Sequence, residues 1–186
     1  MDVNALTIRM REIVEQLAAD RITMLSSIAG LDEDQYRFRE QDWKWSIADI
    51  LEHLALTHET TERMLRVILL RHLEIKGKPC ESDTSVLNLL NRRAVANPDV
   101  KMQAPDRVRP TGQVSIAESL SRLELSRARV FELMPALARY DLYEVSVPHP
   151  LLGDFNGYQW LLMLGMHEVR HAAQIHDLRS HPRFPA

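Results

Sequence analysis

Apolar side chains recur every three or four residues along the chain, a spacing that places them on one face of a helix. The first such stretch spans residues 6–28 and is followed by Gly30, which favours a helix end. The second begins at Ser46, where Asp49 can complete a capping box, and it is expected to run to Lys76. The pattern therefore predicts two long helices in this half of the chain.

Two further long helices are predicted in the second half of the chain. A capping box begins at Ser115, and the apolar stripe that follows it continues to Pro135, where the proline ring is expected to break the helix. The last helix is expected over residues 158–179, with Asp154 or Asn156 as its cap. The chain is thus predicted to be mainly helical.

The connections between these helices are rich in proline. Residues 78–114 are less regular, with a short helix expected over residues 85–96 and a proline-punctuated loop after it. A second loop, which contains Pro148 and Pro150, precedes the last helix. Four long helices with one long crossover predict an all-α fold, an antiparallel four-helix bundle in a single domain over residues 1–186.

Composition and charge exclude several classes of protein. The 186 residues include 26 acidic side chains and 23 lysines and arginines, and the net charge of -3 argues against nucleic-acid binding by bulk positive charge. The only cysteine, Cys80, cannot form an internal disulfide, which fits a reducing compartment. Charges interrupt the N-terminal apolar residues, and no apolar run is long enough for a bilayer. We therefore expect a cytoplasmic protein without nucleic-acid or membrane partners.

A histidine pair in the last predicted helix carries a clear chemical signal. His167 and His171 are four residues apart, so both imidazoles can reach one metal ion. With Glu168 they match the HExxH pattern, in which the glutamate of zinc proteases acts as general base. The metzincin continuation is missing, because Gln174 and Asp177 stand where glycine and histidine are required. No glutamate follows Glu168 either, so the protease interpretation lacks a third ligand.

His53, in the second predicted helix, is the best candidate for a third metal ligand. It shares a partly apolar helix face with Ile50, whereas His58 lies about 140° around the helix and is expected at the surface. Three neutral imidazoles from two helices would hold a divalent ion and leave positions open for water or substrate. The alternative is a set of histidines that bind no metal and are exposed or satisfied in the core.

Three motifs are specific only in combination. They are WSIADILEHL at residues 45–54, PHPLLG at residues 148–153, and Trp160 followed by the spacing His167-x-x-x-His171-x-x-Gln174. Together they resemble the DinB-like superfamily, and the resemblance runs over most of the chain. Members of that superfamily are four-helix bundles with a three-histidine metal site. The resemblance implies that His53, His167 and His171 are the metal ligands, with Zn²⁺ or Ni²⁺ as the expected ion.

The resemblance also implies a class of activity. Some members look like thiol S-transferases or isomerases that use a low-molecular-weight thiol, and others look like metal-dependent hydrolases. We therefore expect an enzyme in which the ion lowers the pKa of a bound thiol or water. The alternatives are a non-catalytic bundle that binds a metal or a small ligand, and a structural bundle that binds no metal.

Further residues and partners complete the expected site. Glu168 is the candidate catalytic base, with a solvated surface charge as its alternative. Gln174 and His149 are candidates for binding a cofactor or substrate. Gln174 can instead hydrogen-bond a metal ligand or lie at the rim, and His149 can instead be an exposed loop residue. Residues 78–114 carry no recognised family pattern and are expected to shape the preference for a small-molecule substrate. A homodimer is the expected assembly.

Overall fold

Helices form most of the structure, a computed structural model that describes residues 6–80, 83–91, 95 and 103–186. A wide π-helical segment, Leu65–Leu70, joins the third helix to the fourth without a break. In chain order the elements are α1 (Ile8–Ile28), α2 (Glu33–Arg37), α3 (Ile47–Met64), α4 (Arg71–Lys76), α5 (Ile116–Leu137), β1 (Ser146–His149), β2 (Gly153–Asn156) and α6 (Gly157–Arg179). The predicted all-α four-helix bundle is confirmed, with a small hairpin added to it.

The predicted helix starts agree with the capping contacts. Ser46 caps α3 and shares a capping box with Asp49, as the spacing predicts. The side chain of Asn156, rather than that of Asp154, caps α6. Such side chains satisfy backbone N–H groups that have no partner inside the helix, so the local sequence fixes where each helix begins. Among the described helices, none is long and apolar enough to cross a membrane.

Two predictions about the connections are wrong, and a third falls partly outside the described residues. Pro135 does not break α5, which continues to Leu137, because this exposed proline near the helix end forgoes a backbone hydrogen bond without obstructing the core. The proline-containing loop before α6 is an antiparallel hairpin in which Val147 pairs with Phe155. In the segment expected to form a helix over residues 85–96, a 3₁₀ turn forms at Leu87–Leu89 and Val95 is helical, while residues 92–94 and 96 lie outside the described residues.

The long crossover determines how the helices are arranged. α1 packs along α6, α3 packs along α5, and α3 also contacts α6. The N-terminal halves of α1 and α6 pack in one apolar cluster with the π-helical segment and α4, which continue α3, and with the C-terminal half of α5. A second apolar cluster contains the opposite ends of these helices. α1 is therefore antiparallel to α3, and α5 is antiparallel to α6. By contrast, α3 and α5, which the crossover connects, run in the same direction.

Buried polar side chains separate the two apolar clusters. Along each long helix, these polar residues lie between the part that packs in one apolar cluster and the part that packs in the other. This middle polar layer consists of Asp20, Arg21, His58, Thr61, Ser126 and Glu168, all of which are buried. A buried polar group destabilises a fold unless it is hydrogen-bonded or paired with a charge, so the layer requires specific contacts between helices.

α1 approaches α6 closely in this layer, at Gly165. A Cβ atom at position 165 would lie 3.0 Å from Cβ of Asp20 and still closer to its carboxylate. The Gly165→Ala substitution is therefore expected to lower the free energy of unfolding by about 1–3 kcal/mol, although alanine is intrinsically the better helix former by about 1 kcal/mol. Urea unfolding followed by circular dichroism measures this change.

The double variant Asp20→Ala, Gly165→Ala tests the cause of that loss. Removing the Asp20 carboxylate opens space for the new methyl group, so the double variant is expected to be more stable than the sum of the two single effects predicts. Strict additivity would contradict the steric explanation.

Candidate metal centre

Three histidine side chains from two helices converge at one point. His53 comes from α3, and His167 and His171 come from successive turns of α6. Nε2 of His167 lies 3.3 Å from Nε2 of His53 and 3.0 Å from Nε2 of His171. One nitrogen from each of the three rings lies within 4.8 Å of the others. Four ligands at about 2.0–2.1 Å from a zinc ion lie roughly 3.3 Å apart, so the spacing fits a single ion.

Hydrogen bonds on the far side of two rings fix their tautomers. Nδ1 of His53 donates to the backbone carbonyl of Val108 at 2.7 Å. Nδ1 of His171 donates to Oε1 of Gln174, also at 2.7 Å. A neutral imidazole that donates through Nδ1 has a lone pair on Nε2. Both rings therefore present acceptor nitrogens to His167, and His167 has only one Nε2 proton with which to satisfy them. A cation shared by the three nitrogens resolves that conflict.

Burial keeps the three rings neutral. Loss of solvation lowers the pKa of His53, although the hydrogen bond to Val108 partly opposes this shift. Burial lowers the pKa of His171 to about 3 and that of His167 well below its usual range, and the neighbouring histidines add to both effects. Metal ligands must be unprotonated, so the bundle supplies the imidazoles in the form that binds a cation.

The tryptophan of the WSIADILEHL segment packs against this centre. The Trp45 ring centroid lies 4.8 Å from that of His53 and 6.5 Å from that of His171. Trp45 immediately precedes the Ser46 cap of α3, so the helix start fixes its position. The indole restricts the orientation of two imidazoles and makes its fluorescence a reporter of events at the histidines.

The crossover reaches the metal centre through Glu52, which neighbours His53. The Glu52 carboxylate accepts hydrogen bonds from the backbone N–H and the hydroxyl of Thr111 and from the backbone N–H of Gly112, all at 2.8–2.9 Å. These contacts hold the segment of the crossover that carries the Val108 carbonyl. Glu52 therefore anchors the loop, and the loop in turn provides the carbonyl to which His53 donates its hydrogen bond.

A cavity of about 370 Å³ adjoins the three histidines. Its wall is largely apolar and comes from α3, the crossover, the hairpin and α6. The contributing side chains besides the histidine trio include Trp45, Thr57, Pro105, Val108, Leu151, Trp160, Met163, Leu164, Arg170 and Gln174. Small-molecule sites have this character, with apolar walls and few polar groups. The crossover thus lines the cavity at residues 103–105 and 107–109, within the segment expected to shape substrate preference.

Glu168 is turned away from the histidines and into the bundle. Its Oε1 lies 3.0 Å from Nη2 of Arg21 and 3.0 Å from Nε2 of His58. Burial opposes ionisation, but the hydrogen bond from His58 and the charges of Arg21 and Arg127 outweigh it and lower the pKa of Glu168. The alternative of a solvated charge is wrong, since the side chain is 1% exposed. A role as catalytic base stays a prediction.

His58 is buried, so the expectation that it lies at the surface is wrong. Its side chain is 2% exposed and contacts Glu168, which is held in turn by Arg21 of α1. The helical spacing correctly separates His58 from His53. It does not reveal that the face carrying His58 is covered by another helix. An ionisable residue on a partly polar face gives no sequence signal for such a pairing.

His149 lies at the end of β1 and lines the same cavity as the histidine trio. Its ring centroid lies 4.9 Å from that of Phe155 and 5.1 Å from that of Trp160. Burial lowers its pKa, so the ring is neutral. Its position beside the cavity is compatible with contact to a bound molecule, and that role stays a prediction, as does a contact of Gln174 with a ligand.

Comparisons with known proteins identify the family. The family model of the DinB superfamily matches residues 16–175. This match covers most of the chain, which therefore belongs to the DinB superfamily, a metal-binding family. A curated relative is the uncharacterised protein YuaE of Bacillus subtilis (strain 168), 25% identical over 163 residues, which cover 86% of this chain and 93% of YuaE.

A solved structure supports the fold independently. The crystal structure of TT2238, described as a four-helix bundle protein, superimposes with a TM-score of 0.56 at 22% identity. The match covers 90% of this chain and 98% of TT2238. The fold, the family and the convergent histidines together describe a helical protein whose three-histidine group fits a metal ion.

Gln174 is expected to strengthen metal binding through His171. The Gln174→Leu substitution removes the acceptor that fixes the His171 tautomer, and loss of such a contact typically lowers metal affinity by about tenfold to a hundredfold. Competition with a chromophoric chelator measures this affinity. His176→Ala, which changes an exposed histidine on the same helix, is the matched control and should bind metal like the original chain. Equal affinity of all three proteins would contradict the role of Gln174.

Proposed function

We propose that this protein is a metal-dependent enzyme in which His53, His167 and His171 hold Zn²⁺ or Ni²⁺. The observation that supports the proposal most strongly is the position of the trio in the wall of a cavity. Structural zinc sites are closed by four protein ligands, whereas catalytic sites keep a position open for water or substrate. Among the described residues, the group that could hold an ion consists of these three histidines.

The chemistry favours a thiol as the activated group. A bound divalent ion supplies a Lewis acid that lowers the pKa of a thiol or water coordinated to it. Within the described cavity lining there is no aspartate or glutamate to remove a proton. A free thiol has a pKa of about 8.5, whereas that of water is about 15.7, so the thiol needs less assistance. We therefore place thiol S-transfer ahead of hydrolysis.

The chain's own side chains would position the substrate. Trp160, Met163 and Leu164 form an apolar wall along the side of the cavity that α6 provides. Trp45 limits the movement of two ligand rings, and Val108 and Gln174 hold their outer nitrogens. An apolar wall excludes water and strengthens electrostatic interactions within the site. We assign Glu168 to holding the helices together, since Arg21 and His58 already contact its carboxylate. A cytoplasmic location and a homodimer remain predictions.

Metal analysis tests the ligand assignment. The purified protein is expected to carry close to one divalent ion per chain, and His171→Ala should remove most of it because two imidazoles form a much weaker site. His176→Ala should retain the metal. Full metal content in the triple variant His53→Ala, His167→Ala, His171→Ala would overturn the assignment.

Chelation tests whether the ion is catalytic or structural. Because two apolar clusters hold the bundle together, the helical circular dichroism should persist after the metal is removed, while binding of an added thiol should be lost. If the helices unfold with the metal and the metal-bound protein takes up no thiol, the ion is a structural staple and the proposed enzyme function is wrong.

A further inference from the structure

Arginine supplies all the charged side chains in the described lining of the cavity. These side chains are Arg107 and Arg109 of the crossover and Arg170 of α6. The whole chain has more acidic than basic residues, so this excess of positive charge is local to the cavity.

Arg170 brings its charge close to the metal centre. It directly precedes His171 and is only 4% exposed. It lines the same cavity as His167 and His171. Nη1 donates to the Val95 carbonyl at 3.2 Å, a contact that helps to fix the side chain. A buried guanidinium attracts an anion more strongly than an exposed one because little water screens it.

Arg107 and Arg109 lie at the solvent end of the cavity. Both are exposed, and both flank Val108, whose carbonyl holds His53. Arg109 also contacts Asp106 at 3.1 Å, but that carboxylate is 93% exposed and lies outside the cavity lining. The same short turn of the crossover therefore orients a metal ligand and presents two cations to an incoming molecule.

We infer that the cavity takes an anionic substrate, a small carboxylate whose charged group binds these arginines while its reacting group faces the histidines. The uncharged part of the molecule would lie along Trp160, Met163 and Leu164. Guanidinium groups match carboxylates through paired, charge-assisted hydrogen bonds. This inference rests on the proposed function for the reacting group at the metal, whereas the preference for an anion rests on the arginines alone.

Matched probes that differ only in charge test the inference. N-acetylcysteine and N-acetylcysteine amide share a thiol, but only the first carries a carboxylate. In protein reconstituted with Co²⁺, the absorption band that a thiolate gives on binding cobalt reports each affinity. The carboxylate is expected to bind at least about tenfold more tightly. The S-methylated forms of both compounds cannot supply a thiolate, and the fluorescence of Trp45 and Trp160 reports their binding.

Arginine variants locate the preference. The double variant Arg107→Gln, Arg109→Gln and the single variant Arg170→Met should each reduce the preference for the carboxylate severalfold, while Arg170→Lys should retain part of it. Arg129→Gln, which removes an exposed arginine of α5 outside the cavity lining, is the matched control and should change nothing. Helical circular dichroism and metal content identify any variant that fails to fold. If the Arg170 variants fail to fold, the double variant Arg107→Gln, Arg109→Gln decides the result.

The outcomes separate the two proposals. If the S-methylated carboxylate binds more tightly than its amide and no probe gives the cobalt band, the anion site stands and thiol activation fails. If both thiols give the band with equal affinity, the metal site stands and the anion preference is wrong. A preference that survives the arginine variants but disappears with the metal shows that the carboxylate binds the ion directly, which also overturns the inference. So does the absence of binding by every probe.

Discussion

The middle polar layer is the constraint on which the bundle depends. Two apolar clusters can hold four helices together without specific pairing, but charges and imidazoles placed between them must each find a partner. Arg21 and His58 meet the carboxylate of Glu168 from two different helices. These contacts fix the rotation of α6 relative to α1 and α3. The same rotation turns His167, the neighbour of Glu168, toward His53.

The crossover is an integral part of the metal centre rather than a connection alone. Glu52 anchors it through Thr111 and Gly112, and this anchoring brings the Val108 carbonyl to His53. Without that acceptor the Nδ1 proton of His53 would be buried without a partner, which is costly. Loop and ligand therefore stabilise each other, and the flanking arginines reach the cavity because the loop is held there.

The features predictable from the sequence are those with local causes. Helix spacing pairs His167 with His171 and places Gln174 on the same face, and the contact between His171 and Gln174 agrees with that spacing. Capping residues such as Ser46 locate helix starts. The partly apolar face of His53 made it the best third-ligand candidate, and the family resemblance supported it, although no local signal shows that α3 meets α6. The Val108 acceptor lies 55 residues from its partner, and the burial of His58 depends on which helices cover it, so neither leaves a pattern in one segment.

The HExxH pattern shows why a motif needs its surroundings. Consecutive residues on an α-helix point about 100° apart, so His167 and Glu168 cannot face the same site unless that site is broad. Here α6 lies inside a bundle, and its histidine side faces the cavity while its glutamate side faces α1. Arg21 and His58 therefore favour the ionised form of Glu168 and also hold its carboxylate in place. In the cavity lining that the structure describes, the charged side chains are all arginines. In this fold the pattern combines a metal-ligand pair with a buried ion pair.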